Sequence, residues 1–162
     1  MSSPVPQESS IRWTWHRWAE LTPDTLHALL KLRSDVFIVE QNCAYPDIDG
    51  LDPRCDHLCG LRDGAIVACA RLVPPGTRPA HGGPHPAIGR LAVAASARRQ
   101  GLARRAIELG LARCAERFPG MAVFGQAQKY LLPFYLSLGG VPQGAEYVED
   151  GIPHQDLLIP AR

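Results

Sequence analysis

Hydrophobic residues in the first part of the chain recur at two different spacings. Trp13 and Trp15 alternate with polar residues, which predicts a first strand because successive side chains of a strand point to opposite faces. Thr22 and Pro23 then supply a hydroxyl cap and a proline suited to the first helical position. Apolar residues follow at intervals of three and four, so we expect a helix from Pro23 to about Phe37.

Two later segments have the pattern of β-hairpins. Residues 57–71 follow the order strand, turn, strand, with the turn at Asp63-Gly64. Residues 145–148 and 155–159 form a closing hairpin around the turn at residues 149–151. Hairpins at both ends of the chain predict a largely antiparallel sheet.

The longest patterned stretch lies between these hairpins. Residues 74–87, rich in proline and glycine, form a surface loop that leads into the apolar run 88–93. The chain then bends at residues 98–103 and continues at helical spacing from Leu102. A strand over residues 121–125 and a short helix that contains Pro133 and ends at Gly139 complete a mixed α/β pattern.

A strand that leads through a glycine-bearing turn into a helix is a device for holding phosphate. The first N–H groups of the helix have no partner within the helix, and the helix dipole favours an anion there. Gly101 lets a ligand approach the backbone, and Arg98, Arg99, Arg104 and Arg105 add charge and bidentate donors. The alternative is a surface helix with a solvated, arginine-rich first turn.

Composition predicts one globular domain over residues 11–162, preceded by a disordered tail over residues 1–10. Of the 162 residues, 46% are hydrophobic, which is enough for a proper core, and the net charge of +1 suggests neither nucleic acid nor a membrane surface. The first ten residues lack the features of a signal peptide, and no apolar run reaches transmembrane length. Five irregularly spaced cysteines argue against a disulfide framework, so we expect a cytoplasmic protein.

Charge is distributed unevenly along this nearly neutral chain. The segment from Asp35 to Asp56 holds six acidic residues and one arginine, Arg54. The segment from Arg90 to Arg117 holds seven arginines and two glutamates. An acidic lobe and a basic lobe suit a protein that handles a cationic substrate and an anionic cofactor.

Two patterns could suggest a metal, and neither predicts one. The loop at residues 47–52 has its glycine too early for an EF-hand and lacks the closing bidentate glutamate. Cys55, His57 and Cys59 alternate on a predicted strand, but their spacing is not that of a structural zinc site. We therefore expect buried thiols and no metal.

The bend at residues 98–103 resembles motif A of the GNAT superfamily of N-acetyltransferases, an Arg or Gln followed at fixed spacing by Gly and by Gly or Ala. Arg98, Gly101 and Ala103 fill these positions, and Val93 stands where the family's preceding strand ends. A longer string over residues 33–50, R-x-x-V-F-x-V-E-Q-x-C-x-Y-x-x-x-D-G, resembles the ElaA-like branch of that superfamily. The resemblance spans residues 13–159.

The resemblance implies the GNAT fold, a mixed and mostly antiparallel sheet flanked by helices that splays at the strand over residues 88–93. It implies acetyl-CoA as co-substrate and transfer of the acetyl group to a small-molecule or peptide amine by direct attack. The residues implied in cofactor binding are Leu91, Ala92, Val93, Arg98, Arg99, Gln100, Gly101, Leu102, Ala103, Gln128 and Phe134. Gln128 departs from the family's usual Asn, and whether the chain forms a homodimer is left open.

The resemblance also implies catalytic and acceptor-binding residues. Tyr135 stands where the family's general acid is often found, with packing alone as the alternative. The need to deprotonate an amine, and not the resemblance, makes Glu40, which follows the first helix, the favoured base or water-orienting residue, with the alternatives His57, Asp49, Glu149 and His154. The acceptor-binding residues expected are Phe37, Glu40, Asp49 and His57.

Two other classes of function compete with an N-acetyltransferase. The first is a regulatory domain that binds acyl-CoA without turnover, and retention of Tyr135 favours the enzyme over it. The second, a phosphoryl-transfer protein, is disfavoured because the chain contains no G-x-x-x-x-G-K-[ST] loop.

Overall fold

The computed structural model describes residues 10–78 and 83–161, and within these ranges one seven-stranded sheet organises the chain. The strands are β1 (Arg12–Arg17), β2 (Asp56–Arg62), β3 (Ala65–Val73), β4 (Ala87–Val93), β5 (Val123–Gln128), β6 (Val141–Glu149) and β7 (Ile152–Ile159). Their order across the sheet is β1-β2-β3-β4-β5-β7-β6. The expected disordered tail lies outside the described residues except for Ser10.

The sheet opens between β4 and β5, its one parallel pair of strands. These strands pair only at Ala87 and Phe124, where the Phe124 N–H also donates to the Pro86 carbonyl at 2.8 Å. All other neighbours are antiparallel and paired over most of their length. The edge of β4 that faces β5 therefore has no strand partner beyond Ala87, which is the splay that the sequence predicted.

Helices cover both faces of the sheet. Helix α1 (Pro23–Ser34) packs Leu29 and Leu32 on one face, against Cys59 and Cys69. On the other face, α2 (Leu102–Arg117) buries an apolar stripe in a core that also receives the short helix α3 (Leu132–Ser137). Adjacent strand residues serve opposite faces, since Leu58 packs with α2 while Cys59 packs with α1.

The first helix continues beyond the end that its apolar spacing indicates. After Ser34 the backbone widens into a π-helical turn, Asp35–Glu40, with N–H groups of Gln41 and Cys43 bonded to carbonyls five residues earlier at 3.3 and 3.2 Å. Such wide turns are rare and often occur at functional sites. This turn carries Glu40 on helical backbone, although the sequence predicted that Glu40 would follow the end of the helix.

Strand limits differ from the predicted ones by a few residues. β5 begins two residues late and runs to Gln128, and β6 begins at Val141 although the pattern indicated residue 145. β6 is exposed at nearly every position, so its side chains show no alternation that sequence analysis could detect. Both predicted turns are confirmed, at Asp63-Gly64 and at Asp150-Gly151, each with positive φ at both residues.

All five cysteines are unpaired, and four of them are buried. Burial raises the pKa of the Cys59 thiol to about 11 and that of Cys114 to about 12, so both thiols stay protonated and unreactive. Within residues 10–78 and 83–161, no group of three or more His, Cys, Asp or Glu side chains could hold a metal ion.

Candidate active site

A cleft of about 1010 Å³ occupies the opening between β4 and β5. Most of the residues that the sequence singled out line it: Phe37, Glu40, Asp49, Leu91, Ala92, Val93, Arg98, Arg99, Gly101, Leu102, Ala103, Gln128, Phe134 and Tyr135. They come from the π-helical turn, the loop at residues 47–52, β4, the turn before α2, the start of α2, β5 and α3. The splay of the sheet therefore brings together segments that are far apart in sequence.

A β-bulge shapes the wall of the cleft along β4. Cys69 pairs with Ala92 and Arg71 with Gly89, so two residues of β4, Arg90 and Leu91, face one residue of β3. Arg90 takes the left-handed φ of 50°, which is strained for a residue with a side chain. The bulge sends the Arg90 guanidinium to the acidic loop at residues 47–52.

The start of α2 forms one end of the cleft. Gly101 is the N-cap residue with a φ of 73°, no side chain caps the helix, and its first turn contains no acidic residue. The N–H groups of Leu102, Ala103 and Arg104 therefore lack helical partners, and they open on a site lined by Arg98 and Arg99. This end is suited to an anion.

Arg98 and Glu40 form a bidentate ion pair across this end of the cleft. The two guanidinium nitrogens Nη1 and Nη2 donate to Oε1 and Oε2 of Glu40 at 2.6 and 2.8 Å, and Nε donates to the Val93 carbonyl at 3.1 Å. The hydrogen bond from Arg98 lowers the pKa of Glu40, so this exposed carboxylate is held ionised. Its two oxygens are occupied by Arg98 in this conformation.

Two residues expected at the site have side chains outside the cleft. Gln100 accepts a hydrogen bond from Arg62 of β2 and presents only its backbone near the turn. His57 is 1% exposed, and its Nε2 lies 2.9 Å from the Asp52 carbonyl. Burial lowers the pKa of His57, so the ring is a neutral structural group, and the expectation that it contacts the acceptor is corrected.

The acidic loop at residues 47–52 is paired with arginines and is not the free acidic lobe that its charge suggested. Arg33 donates to Asp47 and Asp52 at 2.9 and 2.8 Å. Arg71 donates to Asp49 at 2.7 Å and to Asp52 at 2.9 Å. Arg90 Nε lies 2.8 Å from Asp47, and its Nη2 lies 3.3 Å from Asp49. Three arginines thus offset three aspartates.

Asp49 is the one member of this cluster that the sequence assigned to the acceptor. It lines the cleft and is 24% exposed on its side chain. Burial raises its pKa, but hydrogen bonding and charge from Arg71 outweigh that effect, and the net pKa lies well below the ordinary range. Asp49 is therefore a permanently ionised carboxylate whose charge Arg71 and Arg90 already balance.

Replacing Asp52 by Asn should unfold this cluster. The change removes the carboxylate that Arg33 and Arg71 share and leaves two buried guanidinium groups underpaired, at a cost of about 3–5 kcal/mol. The free energy of unfolding in urea at pH 7 measures the loss. The control is Asp35→Asn, which breaks the exposed Lys31 pair and should cost under about 1 kcal/mol.

The same cluster should make stability depend on pH. Burial raises the pKa of Asp52, but hydrogen bonds from Arg33 and Arg71 outweigh it, so the folded pKa lies below the unfolded value. The stability that Asp52 contributes is fully present above its pKa in the unfolded state, about 4. That stability is lost as the pH falls through the pKa of the folded state. Equal urea midpoints for wild type and Asp52→Asn at pH 7 would contradict this role.

Tyr135 lies on α3 with its ring packed edge-on against Phe134, 5.3 Å between centroids. Burial raises its pKa to about 12, so the phenol is protonated throughout the neutral range. Among the described residues, no group forms a hydrogen bond with its hydroxyl oxygen, although the residue lines the cleft. The hydroxyl proton is therefore available to a ligand, while the ring also packs in the core.

The cleft also contains Arg78, Gln126 and Asp150, which sequence analysis missed, and Glu149 and His154, which it offered only as alternative bases. Gln126 could have been found by strand alternation, because it lies two residues before Gln128 on β5 and so shares its face. His154 pairs in register with Gln128 on β7, a contact that only the fold establishes. Arg78 sits in the loop before residues 79–82 and carries no sequence signal.

Comparison with known proteins identifies the class that this fold and cleft define. The sequence model of the Acetyltransferase (GNAT) family matches residues 13–139, so the chain belongs to that family. It is therefore an acyl-CoA-dependent acyltransferase with the GNAT fold.

Among its relatives, the chain is similar to Protein ElaA of Escherichia coli, with 37% identity over 148 residues that cover 89% of this chain and 93% of ElaA. The crystal structure of ElaA superposes with a TM-score of 0.84 over 91% of this chain and 98% of that one. An acyl-CoA N-acyltransferase from Pseudomonas aeruginosa superposes with a TM-score of 0.86 at 36% identity, over 92% of this chain and 99% of that one. The predicted resemblance to the ElaA-like branch is confirmed.

No helix in the described part of the chain is both long and apolar enough to cross a membrane.

Proposed function

We propose that the protein is an N-acetyltransferase that moves the acetyl group of acetyl-CoA to a primary amine, with both substrates bound at once. The observation that carries the proposal is the cleft itself, which joins an uncapped helix terminus to a protonated phenol along an unpaired strand edge. Measuring CoA thiol release from acetyl-CoA across a panel of primary amines tests it. Release that no amine stimulates would reject it.

Acetyl-CoA fits the two features that the cleft offers to a long, anionic thioester. Its pyrophosphate would lie against the N–H groups of Gly101, Leu102 and Ala103, with Arg99 beside it. Its pantetheine arm would run along the free edge of β4 at Leu91, Ala92 and Val93, bordered by Gln128 and Phe134. Gln100 would contribute through its backbone, because its side chain is bonded to Arg62.

The reaction needs no acyl-enzyme. The lone pair of a neutral amine attacks the thioester carbonyl carbon, and the oxyanion that forms accepts a hydrogen bond from a backbone N–H of β4 near Ala92. Collapse of this intermediate breaks the C–S bond. The departing thiolate takes the hydroxyl proton of Tyr135, the general acid, and the resulting tyrosinate is reprotonated by the proton that the nitrogen, positively charged after the attack, must lose to become the amide.

The ammonium form of the acceptor must first lose a proton, and two residues are placed to take it. Glu40 lines the cleft beside Phe37 and becomes free for this role once Arg98 turns to the phosphate end. His154 is a second candidate because its Nδ1 lies 2.7 Å from the Ile152 carbonyl, which leaves Nε2 as the unprotonated nitrogen of the neutral ring. Asp49 also lines the cleft, but it would take no proton and would attract the cation little, because Arg71 and Arg90 balance its charge.

Glu40→Gln should tighten the binding of acetyl-CoA by a few-fold. The substitution removes the carboxylate that competes with the pyrophosphate for Arg98, and isothermal titration calorimetry measures the gain. Arg98→Ala should weaken binding by about 1–3 kcal/mol, the value of a charged hydrogen bond. In the Arg98→Ala background, Glu40→Gln should have no further effect.

The same Glu40→Gln variant separates the two candidate bases. If Glu40 takes the proton, its replacement removes the acid limb of the pH–rate profile, whereas His154→Ala leaves that limb in place. An unchanged affinity together with an unchanged profile for Glu40→Gln would show that the Arg98–Glu40 pair is only structural.

The alternative is a regulatory domain that binds acyl-CoA without turnover. The cofactor end of the cleft would serve both functions equally well. The enzyme is favoured by Tyr135, which lines the cleft and whose hydroxyl forms no hydrogen bond among the described residues. A sensor has no need for a proton donor there.

A further inference from the structure

Arg78 is a guanidinium in the cleft that is not matched by a carboxylate. It is half-buried, lines the cleft and donates from Nη2 to Oε1 of Gln126 at 2.8 Å. Within residues 10–78 and 83–161 it makes no ion pair, whereas Arg90 and Arg98 in the same cleft are each paired with carboxylates. Arg99 shares this lack of a carboxylate partner, but it is exposed at the phosphate end.

The surroundings of Arg78 favour the arrival of an anion. Burial lowers the pKa of Arg78, and the positive charges of Arg71 and Arg90 lower it further. A cation held in such a place is stabilised by any anion that enters. Water reaches it only in part, so an anion bound there gains more than one at an open surface.

A chain of hydrogen bonds holds Arg78 in place before any ligand binds. Gln126 Nε2 donates to the Tyr147 hydroxyl at 2.8 Å, and that hydroxyl donates to Asp156 at 2.6 Å. Because the amide nitrogen of Gln126 is engaged with Tyr147, its oxygen is directed at Arg78. One guanidinium nitrogen is thus anchored, and the remaining donors of the planar group are left for a ligand.

The cleft that contains Arg78 also contains two carboxylates. Glu149 and Asp150, at the turn between β6 and β7, line the cleft and are exposed. Glu149 acts on the pKa of Arg78 through space, yet the two form no ion pair. Arg78 and the two carboxylates thus line one cleft with no ion pair between them among the described residues, an arrangement complementary to a ligand that carries both signs of charge.

We infer that the acceptor is an amine that also carries a carboxylate, in the manner of an amino acid, and that Arg78 binds this carboxylate. The inference rests on the proposed function and names the substrate class of that same cleft. Arg78 bonds the carboxylate through its free donors, while Glu149 and Asp150 attract the ammonium group before it is deprotonated. Arg78 is thus a specificity-determining residue for the acceptor.

The test compares acceptors that differ only in the carboxylate. Amino carboxylates of increasing length, from glycine through β-alanine to 4-aminobutyrate, are each paired with the corresponding amide, which keeps the amine and loses the anion. Wild type should use the acids with a kcat/KM about tenfold to hundredfold above that of the amides, as one charge-assisted pair allows. A dipeptide with a free C-terminal carboxylate, used in the same assay, distinguishes a peptide acceptor from a free amino acid.

Arg78→Gln should remove this preference by lowering the rate with the acids while leaving the rate with the amides. Arg78→Lys, which keeps the charge but not the planar pair of donors, should recover part of it. The matched control is Arg99→Gln, which should raise the KM for acetyl-CoA and leave the ratio of acid to amide unchanged. Equal use of acids and amides by wild type, or a preference that survives in Arg78→Gln, would overturn the inference.

A binding measurement keeps the subsite separate from turnover. Calorimetry of the protein saturated with CoA should show binding of the acid that the amide and Arg78→Gln lack. If no amine releases CoA but this binding is seen, the proposed N-acetyltransferase is rejected and the subsite stands. If amines are acetylated but no acid binds in preference to its amide, the subsite is rejected and the enzyme stands.

Discussion

Tyr135→Phe should slow acetyl transfer at least about a hundredfold and leave the affinity for acetyl-CoA within about twofold of wild type, since loss of a general acid commonly costs that much. The ring that packs against Phe134 is retained, and only the hydroxyl is lost. Because no described residue forms a hydrogen bond with that hydroxyl, its removal leaves no buried partner unsatisfied, and folding should be unaffected.

Steady-state kinetics with one amine, together with calorimetry for acetyl-CoA, separate these two effects. Tyr130→Phe is the matched control, because it removes the same atom from an exposed tyrosine that also lines the cleft. The pH–rate profile of the wild type gives a second check on the role of Tyr135. With a pKa of about 12, Tyr135 gives no basic limb in the neutral range. A rate for Tyr135→Phe within a few-fold of wild type would make Tyr135 a packing residue.

Gly101→Trp should weaken acetyl-CoA binding more than about a hundredfold, because it blocks the backbone N–H groups that would hold the pyrophosphate and each charged hydrogen bond lost costs about 1.5–3 kcal/mol. A Cβ placed on Gly101 meets no atom within 4 Å, so the bulk projects into the space left for the ligand and not into the protein. The expected loss is therefore one of binding, and calorimetry measures it.

Two controls account for the backbone strain of this substitution, since Gly101 has a φ of 73°. Gly101→Ala carries the same left-handed strain with only a methyl group and should lose much less affinity. Gly64→Trp places the same side chain on another left-handed glycine, φ 81°, in the β2–β3 turn outside the cleft lining. Wild-type affinity in Gly101→Trp would remove the phosphate site from the start of α2.

The sequence predicted the features of this protein that depend on local order. The cap at Thr22 is present, with its hydroxyl accepting the Thr25 N–H at 3.1 Å. The Asp63-Gly64 turn and the strand–turn–helix from β4 to α2 follow from glycine positions and from apolar spacing. These signals depend on residues that are close together in sequence, so the sequence alone displays them.

Properties that depend on contacts between distant segments were not predictable in the same way. The acidic residues around Asp49 suggested a binding site for a cationic substrate. The fold instead brings Arg33, Arg71 and Arg90 from three other elements to pair with them. An unperturbed histidine has a pKa suited to a base. In the structure, burial lowers the pKa of His57 and keeps its ring neutral. A charge count along the chain cannot show which charges the fold pairs.

The acceptor end of the cleft shows the same limit. Arg78, Gln126 and His154 come from a loop and two strands. The register of β5 with β7 brings His154 beside β5, and a hydrogen bond joins Arg78 to Gln126. Gln126 lay within reach of sequence reasoning through its alternation with Gln128, and the sequence offered His154 only as an alternative base. The wall of the cleft from β4 to the start of α2 was predictable because one continuous stretch of chain builds it, whereas the part around Arg78 is assembled from separate elements.

Direct transfer within a ternary complex is the central claim, and the mass of the intact protein tests it. Cys43 lines the cleft and is a free thiol of intermediate exposure, so it is the group that an acyl-enzyme would use. If transfer is direct, incubation with acetyl-CoA alone should leave the protein mass unchanged and release no CoA. Addition of an amine should then release CoA in equal amount to N-acetylated product. An acetyl group on the protein that the amine later removes, or CoA release that no amine stimulates, would contradict the account.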